Sequence, residues 1–250
     1  MQVIPLAGIP MVEAGDDLCR IVLDAAARAS IEFGDGDVIC VAQKIVSKAE
    51  GRLVPLADVT PGPEAHQLAE ETDKDPRLAQ LILDESTEIL RKRPGVTIVR
   101  HKLGIVGANA GIDQSNIEHE GGEAALLLPE DPDRSAEELR AALEAQTGRT
   151  LGVIITDSHN RPWRLGTIGA AIGCAGVEVL EDYRGGQDIY GRELKVTLIN
   201  RADALAAAAT LLMGETTEKI PAAVIQGLPP SRNTGRARDI CRPLEEDLFR

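Results

Sequence analysis

Aromatic side chains are nearly missing from this chain: one Trp, two Tyr and two Phe in 250 residues. Base-stacking platforms for a nucleic acid are therefore scarce, and any core must be built from Val, Ile, Leu and Ala. Positive charge is also short, with 27 Lys and Arg against 40 Asp and Glu, a net charge of −13. Affinity for phosphate backbones comes from Lys and Arg, so a nucleic-acid partner is not expected. The four cysteines, Cys19, Cys40, Cys174 and Cys241, form no C-x-x-C pair, which argues against a disulfide framework or a zinc site. No apolar run approaches the ~18 residues of a membrane span. Residues 1–17 lack a basic start and an apolar stretch, so no signal peptide is expected. A cytoplasmic location follows as an expectation.

What is present is an ordinary soluble composition, 43% apolar and 27% charged, long enough for one substantial core or two small lobes sharing one. Strands are expected at residues 2–7, 37–42, 96–100, 104–107 (short and buried), 151–155, 192–200 and 222–225. A helix capped by Asp16 should run to about Ser30, with Leu18, Ile21, Val22 and Ala26 on one face. Residues 43–52 read as a polar, basic loop. A weaker helix near 64–72 precedes one capped by Asp75, with Pro76 in the first turn and a stripe of Leu78, Leu81, Ile82 and Ile89. Ser135-Ala-Glu-Glu138 is a capping-box pattern opening a helix that stops at Gly148. The run Gly166, Gly169, Gly173, Gly176 suggests close backbone packing. An alanine-rich helix spans 203–213, and the polar, proline-containing tail 229–250 should wrap the surface. Strands and helices do not alternate strictly, which favours an α+β fold with mixed sheets over a doubly wound one.

Asn109-Ala-Gly-Ile-Asp113-Gln-Ser-Asn116 places three oxygen- and amide-bearing side chains, Asn109, Asp113 and Asn116, beside small residues. A second acidic point, Thr156-Asp157-Ser158, follows another apolar strand. Two carboxylates at the ends of two strands suit Mg²⁺ or Mn²⁺ with a bound phosphate, while a loop Asp capping its own turn is the plainer alternative. Lys48 is either a phosphate contact or a solvated lysine. Arg161 and Arg164 either clamp an anion or sit on the surface, and Trp163 between them is either core or a ring-stacking surface. None of the histidines at 66, 101, 119 and 159 has ligand spacing with another. No phosphate loop and no G-x-G-x-x-G occurs, so a nucleotide would be held by a less common scheme.

Several segments together resemble the coenzyme F420-0:L-glutamate ligase (F420-0:gamma-glutamyl ligase) family. They are Gly8-Ile-Pro-Met-Val12 with Gly15-Asp-Asp17, Val46-Ser-Lys-Ala-Glu-Gly-Arg52, Asn109 to Asn116, and Ile155-Thr-Asp-Ser158 with Arg161 and Arg164. Further on are Asp188-Ile-Tyr-Gly-Arg-Glu-Leu194 and Leu211-Leu-Met-Gly-Glu215. The resemblance implies a GTP- and divalent-metal-dependent ligase adding L-glutamate to the lactyl carboxylate of coenzyme F420-0, a deazaflavin phosphodiester, through an acyl phosphate. It implies two Mg²⁺ or Mn²⁺ ions, with K⁺ as a further candidate, and metal ligands among Asp113, Asp157, Ser158, Met213 and Glu215. GTP contacts are implied at Ile9, Pro10, Met11, Val12, Gln43, Lys44, Lys48, Asn116, Leu211, Leu212, Met213, Gly214, Glu215 and Thr216. Asp113, Asp157, Arg161 and Arg164 are the implied catalytic residues. It further implies residues 1–250 as one ligase unit of two lobes, in an intertwined homodimer. Ser158 stands where archaeal members have Thr, which keeps the hydroxyl, and Gln43-Lys44 replaces a Ser-Thr pair, which adds a positive charge. A non-catalytic sensor that keeps the metal–GTP pocket, and a family ligase for another acid, are the alternative readings.

Overall fold

The computed structural model describes residues 1–117, 122–160, 164–231 and 233–248. Twelve strands are described: β1 (Gln2–Pro5), β2 (Val38–Ala42), β3 (Leu53–Pro55), β4 (Ser86–Arg93), β5 (Val96–His101), β6 (Val106–Ala108), β7 (Ala124–Leu126), β8 (Gly152–Asn160), β9 (Thr167–Ala175), β10 (Leu180–Asp182), β11 (Leu198–Asn200) and β12 (Ala222–Gln226). The α-helices are α1 (Leu18–Arg28), α2 (Gln43–Ala49), α3 (Pro63–Thr72), α4 (Pro76–Asp84), α5 (Pro132–Thr147) and α6 (Arg201–Met213). The result is an α+β fold with several sheets, as the lack of strict alternation suggests.

The largest sheet runs β1-β12-β2-β8-β9. Only β2 and β8 pair in parallel; the other neighbours are antiparallel, so the sheet is mixed. Both faces are covered, which is why its central strands read as unbroken apolar runs. Ile39, Val41, Val153 and Ile155 point to one face, where they meet Val22 and Ala26 of α1 and Leu139 and Leu143 of α5. Cys40, Ile154 and Ile225 point to the other and meet Leu205, Ala206 and Ala209 of α6. The small residues on α6 let it lie against β9: a Cβ on Gly169 would collide with Thr210 and the Ala206 carbonyl, and one on Gly173 with Pro132. The packing role expected of that glycine run is what these two positions have. A separate cluster joins Leu78, Leu81 and Ile82 of α4 to Val99 of β5, Ala125 of β7 and Leu127.

Several local expectations are corrected. Residues 43–49 are helical, because Ile45 and Val46 bury into the main core and carry the polar residues with them. Asp17 caps α1 by accepting the Arg20 N–H, while Asp16 accepts the Glu13 N–H in the turn before. Helix α4 is capped by Asp75 as expected but stops at Asp84, so Ile89 lies on β4. Helix α5 begins at Pro132 with Asp131 as its cap; Ser135 is already inside it, and Gly148 ends it at φ 65°. Residues 104–107 are not a buried strand: β6 spans only Val106–Ala108 and Val106 is exposed. The strand expected over 192–200 shrinks to three residues. The tail does pack: Ala237 is buried, and its N–H donates 2.7 Å to the Asp133 carboxylate.

Candidate active site

Asp113 does not sit at a strand end. It follows a 3-10 turn in which Asn109 and Ala110 take left-handed backbone angles. Such angles cost a non-glycine residue energy and persist where the surroundings fix them. Here the Asn109 carboxamide oxygen accepts the Thr97 N–H at 3.1 Å. The Asp113 backbone is then clasped to Leu126 by two hydrogen bonds of 3.0 and 2.8 Å. Its carboxylate meets the N-terminus of α2: Gln43 Nε2 donates to Oδ2 at 2.7 Å, and Lys44 Nζ is 3.4 Å from Oδ1. Gln43 is itself buried and oriented by Ser47 Oγ, which donates to its Oε1 at 2.9 Å. Burial pushes the Asp113 carboxyl up to about 6; Lys44 opposes the rise and the charge of Asp157 adds to it.

Asp157 lies inside β8 rather than beyond it, because that strand runs on to Asn160 past the bulge at Ile155. Its Oδ2 is 3.4 Å from His159 Nε2. Next to it Ser158 Oγ donates to Glu215, just beyond the C-terminus of α6. Asn116 Nδ2 donates to the Thr216 carbonyl at 3.1 Å, and Lys48 Nζ donates to the Asn116 carbonyl at 3.2 Å. Residues from four distant stretches, 43–48, 113–116, 157–159 and 215–216, thus meet at one place. A cavity of about 60 Å³, bordered by Asp157, Ser158, His159, His101 and Ile105, opens beside it.

Among the described residues no three His, Cys, Asp or Glu side chains are gathered tightly enough to hold a metal by themselves. The donors that do meet are carboxylate, hydroxyl and amide oxygens. That set fits Mg²⁺ or Mn²⁺, which usually take one or two carboxylates and complete their shell with waters and substrate phosphates.

The remaining sequence candidates are placed as follows. Ile9 and Val12 bury their side chains in the main core, so the segment 9–12 offers a ligand its main chain, Pro10 and the exposed Met11. Leu211 and Leu212 are exposed, while the Met213 side chain is buried in the cluster around α6, so a ligand at this position would have to meet its main chain. Gly214 ends α6 at φ 74°. Arg164 is exposed; Arg161, Trp163 and His119 lie outside the described residues. His66 is exposed on α3.

One network had no signal in the sequence. Arg52 Nη2 donates to Glu85 at 2.9 Å and Nε to the Leu128 carbonyl at 2.9 Å. His101 Nε2 lies 3.5 Å from the same carboxylate, while His101 Nδ1 accepts the Leu103 N–H at 3.0 Å. The His101 contact and the neighbouring Arg52 and Lys102 charges hold the Glu85 carboxyl below its usual range. Arg52 is 33 positions from Glu85 and 49 from His101, so spacing alone cannot pair them.

The profile of the F420-0:Gamma-glutamyl ligase family matches residues 8–227. The coenzyme F420:L-glutamate ligase of Methanothermobacter thermautotrophicus is 44% identical over 252 aligned residues, covering 100% of this chain and 99% of that protein. The enzymes of the same name from Methanopyrus kandleri and Archaeoglobus fulgidus are 45% and 43% identical, covering 96% and 100% of this chain and 93% and 96% of theirs. The chain belongs to the F420-0:gamma-glutamyl ligase family.

Proposed function

We propose that this chain is a GTP- and divalent-metal-dependent ligase that joins L-glutamate to the carboxylate of coenzyme F420-0. The observation that carries the reading is the pairing of Asp113 and Asp157 close enough for one to raise the pKa of the other, with Gln43 and Lys44 against Asp113 and Lys48 on the carbonyl of nearby Asn116. Burying two like charges in one place costs stability unless a cation is meant to share them. Asp113 and Asp157 would hold one divalent ion; Ser158, Glu215 and the Met213 carbonyl would serve the second. Bound there, the ions supply charge neutralisation for the phosphates.

A carboxylate is a poor acyl donor. Its oxygen attacks the γ-phosphorus of GTP, the bond to the bridging oxygen breaks and GDP leaves. The uncharged amine of glutamate then attacks the acyl carbon, phosphate departs and the nitrogen loses a proton. Little covalent work falls to the protein, in keeping with a site where, among the described residues, Ser158 bonds Glu215 and His159 faces Asp157 rather than each other. Its part is positioning: Lys44 and Lys48 face the phosphates, the segments 9–12 and 211–216 hold the nucleotide, and Arg164 faces the acceptor's anionic groups. Glutamate-dependent release of GDP and phosphate, with the product mass increased by one glutamyl residue, tests the reading; GTP turnover that ignores glutamate would refute it.

The same proposal takes residues 1–250 as one cytoplasmic ligase unit of two lobes in a homodimer. Support for the lobes is the separation of the α4–β5 cluster from the main core. Support for the dimer is the exposure of the apolar side chains Ile189, Tyr190, Val196, Leu198 and Ile199 along one stretch of chain, surface of a kind that a partner subunit can cover. No described helix is long and apolar enough to cross a membrane.

A further inference from the structure

A larger cavity, of about 370 Å³, adjoins the site and has no part in the reading above. Its lining is apolar at Ile105 and Ile172 and charged at Lys102, Arg238, Glu130, Asp131 and Asp133. Two observations tie it to the paired carboxylates. Ile105 borders both cavities, and Ala171, in the wall of the larger one, pairs across the sheet with Thr156, the residue before Asp157. None of Gln43, Lys44, Lys48, Asn116 or residues 211–216 borders it. It is therefore a space next to the reacting centre that the nucleotide-side residues leave free.

The charges in this lining are of both signs. The Lys102 side chain is more than half exposed, with its Nζ 3.6 Å from Glu85. Arg238 is also more than half exposed, 3.7 Å from Asp131 and 3.3 Å from Asp133. An ammonium has three donors and a guanidinium five, so both retain capacity for a ligand's carboxylates. A purely anionic ligand would be repelled by Glu130 and Asp131; a free amino acid with two carboxylates and one ammonium matches both signs. We propose that this cavity binds free L-glutamate, with Lys102 and Arg238 facing its carboxylates and Glu130 facing its ammonium. The inference rests on the ligase reading. It also assigns a purpose to the tail, since Arg238 lies beyond the family-matched residues 8–227 and is held in the wall by the Asp133 contacts of Ala237 and Arg238.

The test is steady-state kinetics of the full chain with GTP, Mg²⁺, the F420-0 acceptor and varied L-glutamate. Lys102→Met and Arg238→Gln should each raise the KM for glutamate about ten-fold while kcat and the KM for GTP stay within about two-fold. An unchanged glutamate KM in both variants overturns the proposal, and a raised acceptor KM in its place assigns the cavity to the acceptor. Arg238 also fastens the tail, so if its variant melts early, Lys102→Met alone decides. Wild-type protein that releases no GDP in response to glutamate would refute the ligase reading instead, an outcome distinct from either.

Discussion

Replacing Asp113 with Asn should stabilise the metal-free protein at pH 8 while abolishing ligase activity. Burial and the neighbouring Asp157 raise this carboxyl from an ordinary 3.8 to about 6. At ~1.36 kcal/mol per pKa unit, ionising it in the folded state costs about 3 kcal/mol more than in the unfolded chain. The side chain is still a quarter exposed to water, and Asn gives up the attraction of Lys44, so a net gain of about 2 kcal/mol is the better figure. For a chain of this size that is a rise in Tm of about 4–8 °C. The sign fixes the pH window. A folded pKa above the unfolded one favours the protonated form, so the native state bears no cost below pH ~4 and the full cost above about 6. The Asp113→Asn gain should thus be present at pH 8, shrink through pH 6 and vanish near pH 4. Thermal melts in chelator across that range check it. A variant less stable than wild type at pH 8, or a gain independent of pH, would refute the argument that Asp113 is a strained buried charge.

Saturating Mg²⁺ or Mn²⁺ should raise the wild-type Tm, by about 2.7 kcal/mol of stabilisation at a hundred times the dissociation constant, and should leave Asp157→Asn nearly unmoved in the same melt. Arg52→Ala should cost about 1–3 kcal/mol, since it removes the shortest contact of the Glu85 carboxylate and leaves it to His101 and Lys102; a urea titration showing under ~0.5 kcal/mol would show that the network does not stabilise the fold. Gly169→Ala should cost about 1–3 kcal/mol by forcing α6 off β9, with calorimetry as the readout. Asp substitutions at Ile189 and Tyr190 should convert a sedimenting dimer into a species near 26.7 kDa, and a wild-type chain already of that mass would defeat the dimer reading.

Much of the scaffold was legible because its signals are local. Asp75-Pro76 opens α4, Gly148 closes α5, and the apolar run 151–155 is a strand covered on both faces. The misreadings share a cause. Residues 43–49 carry Gln, Lys, Ser and Lys, so local polarity reads as loop; Ile45 and Val46 nonetheless find a core built from α1 and β8, and tertiary burial overrides composition. In the same way Asp157 looks like the residue after a strand, since nothing in the sequence marks the bulge that lets β8 continue to Asn160. At the site, the residue types were legible but not their partners. Gln43 and Lys44 were expected on a nucleotide, and here their nearest charge is Asp113, seventy positions away.

That arrangement bears on how the site is regulated by its own contents. Without an ion, Lys44 and Gln43 are the groups that keep Asp113 compatible with burial. On the proposed reading, an ion held by Asp113 and Asp157 would take over that neutralisation and would leave Lys44, whose contact at 3.4 Å is a loose one, free to turn toward a phosphate. The positive charge at position 44 would then do two jobs in sequence: stabilise the metal-free fold and afterwards meet the proposed nucleotide. Lys44→Gln should therefore separate them. It should lower the metal-free Tm at pH 8, where Asp113 is ionised, but not at pH 4, where it is protonated. It should also raise the KM for GTP about ten-fold. A variant that raises the KM with no pH-dependent loss of stability would show that Lys44 serves the nucleotide alone.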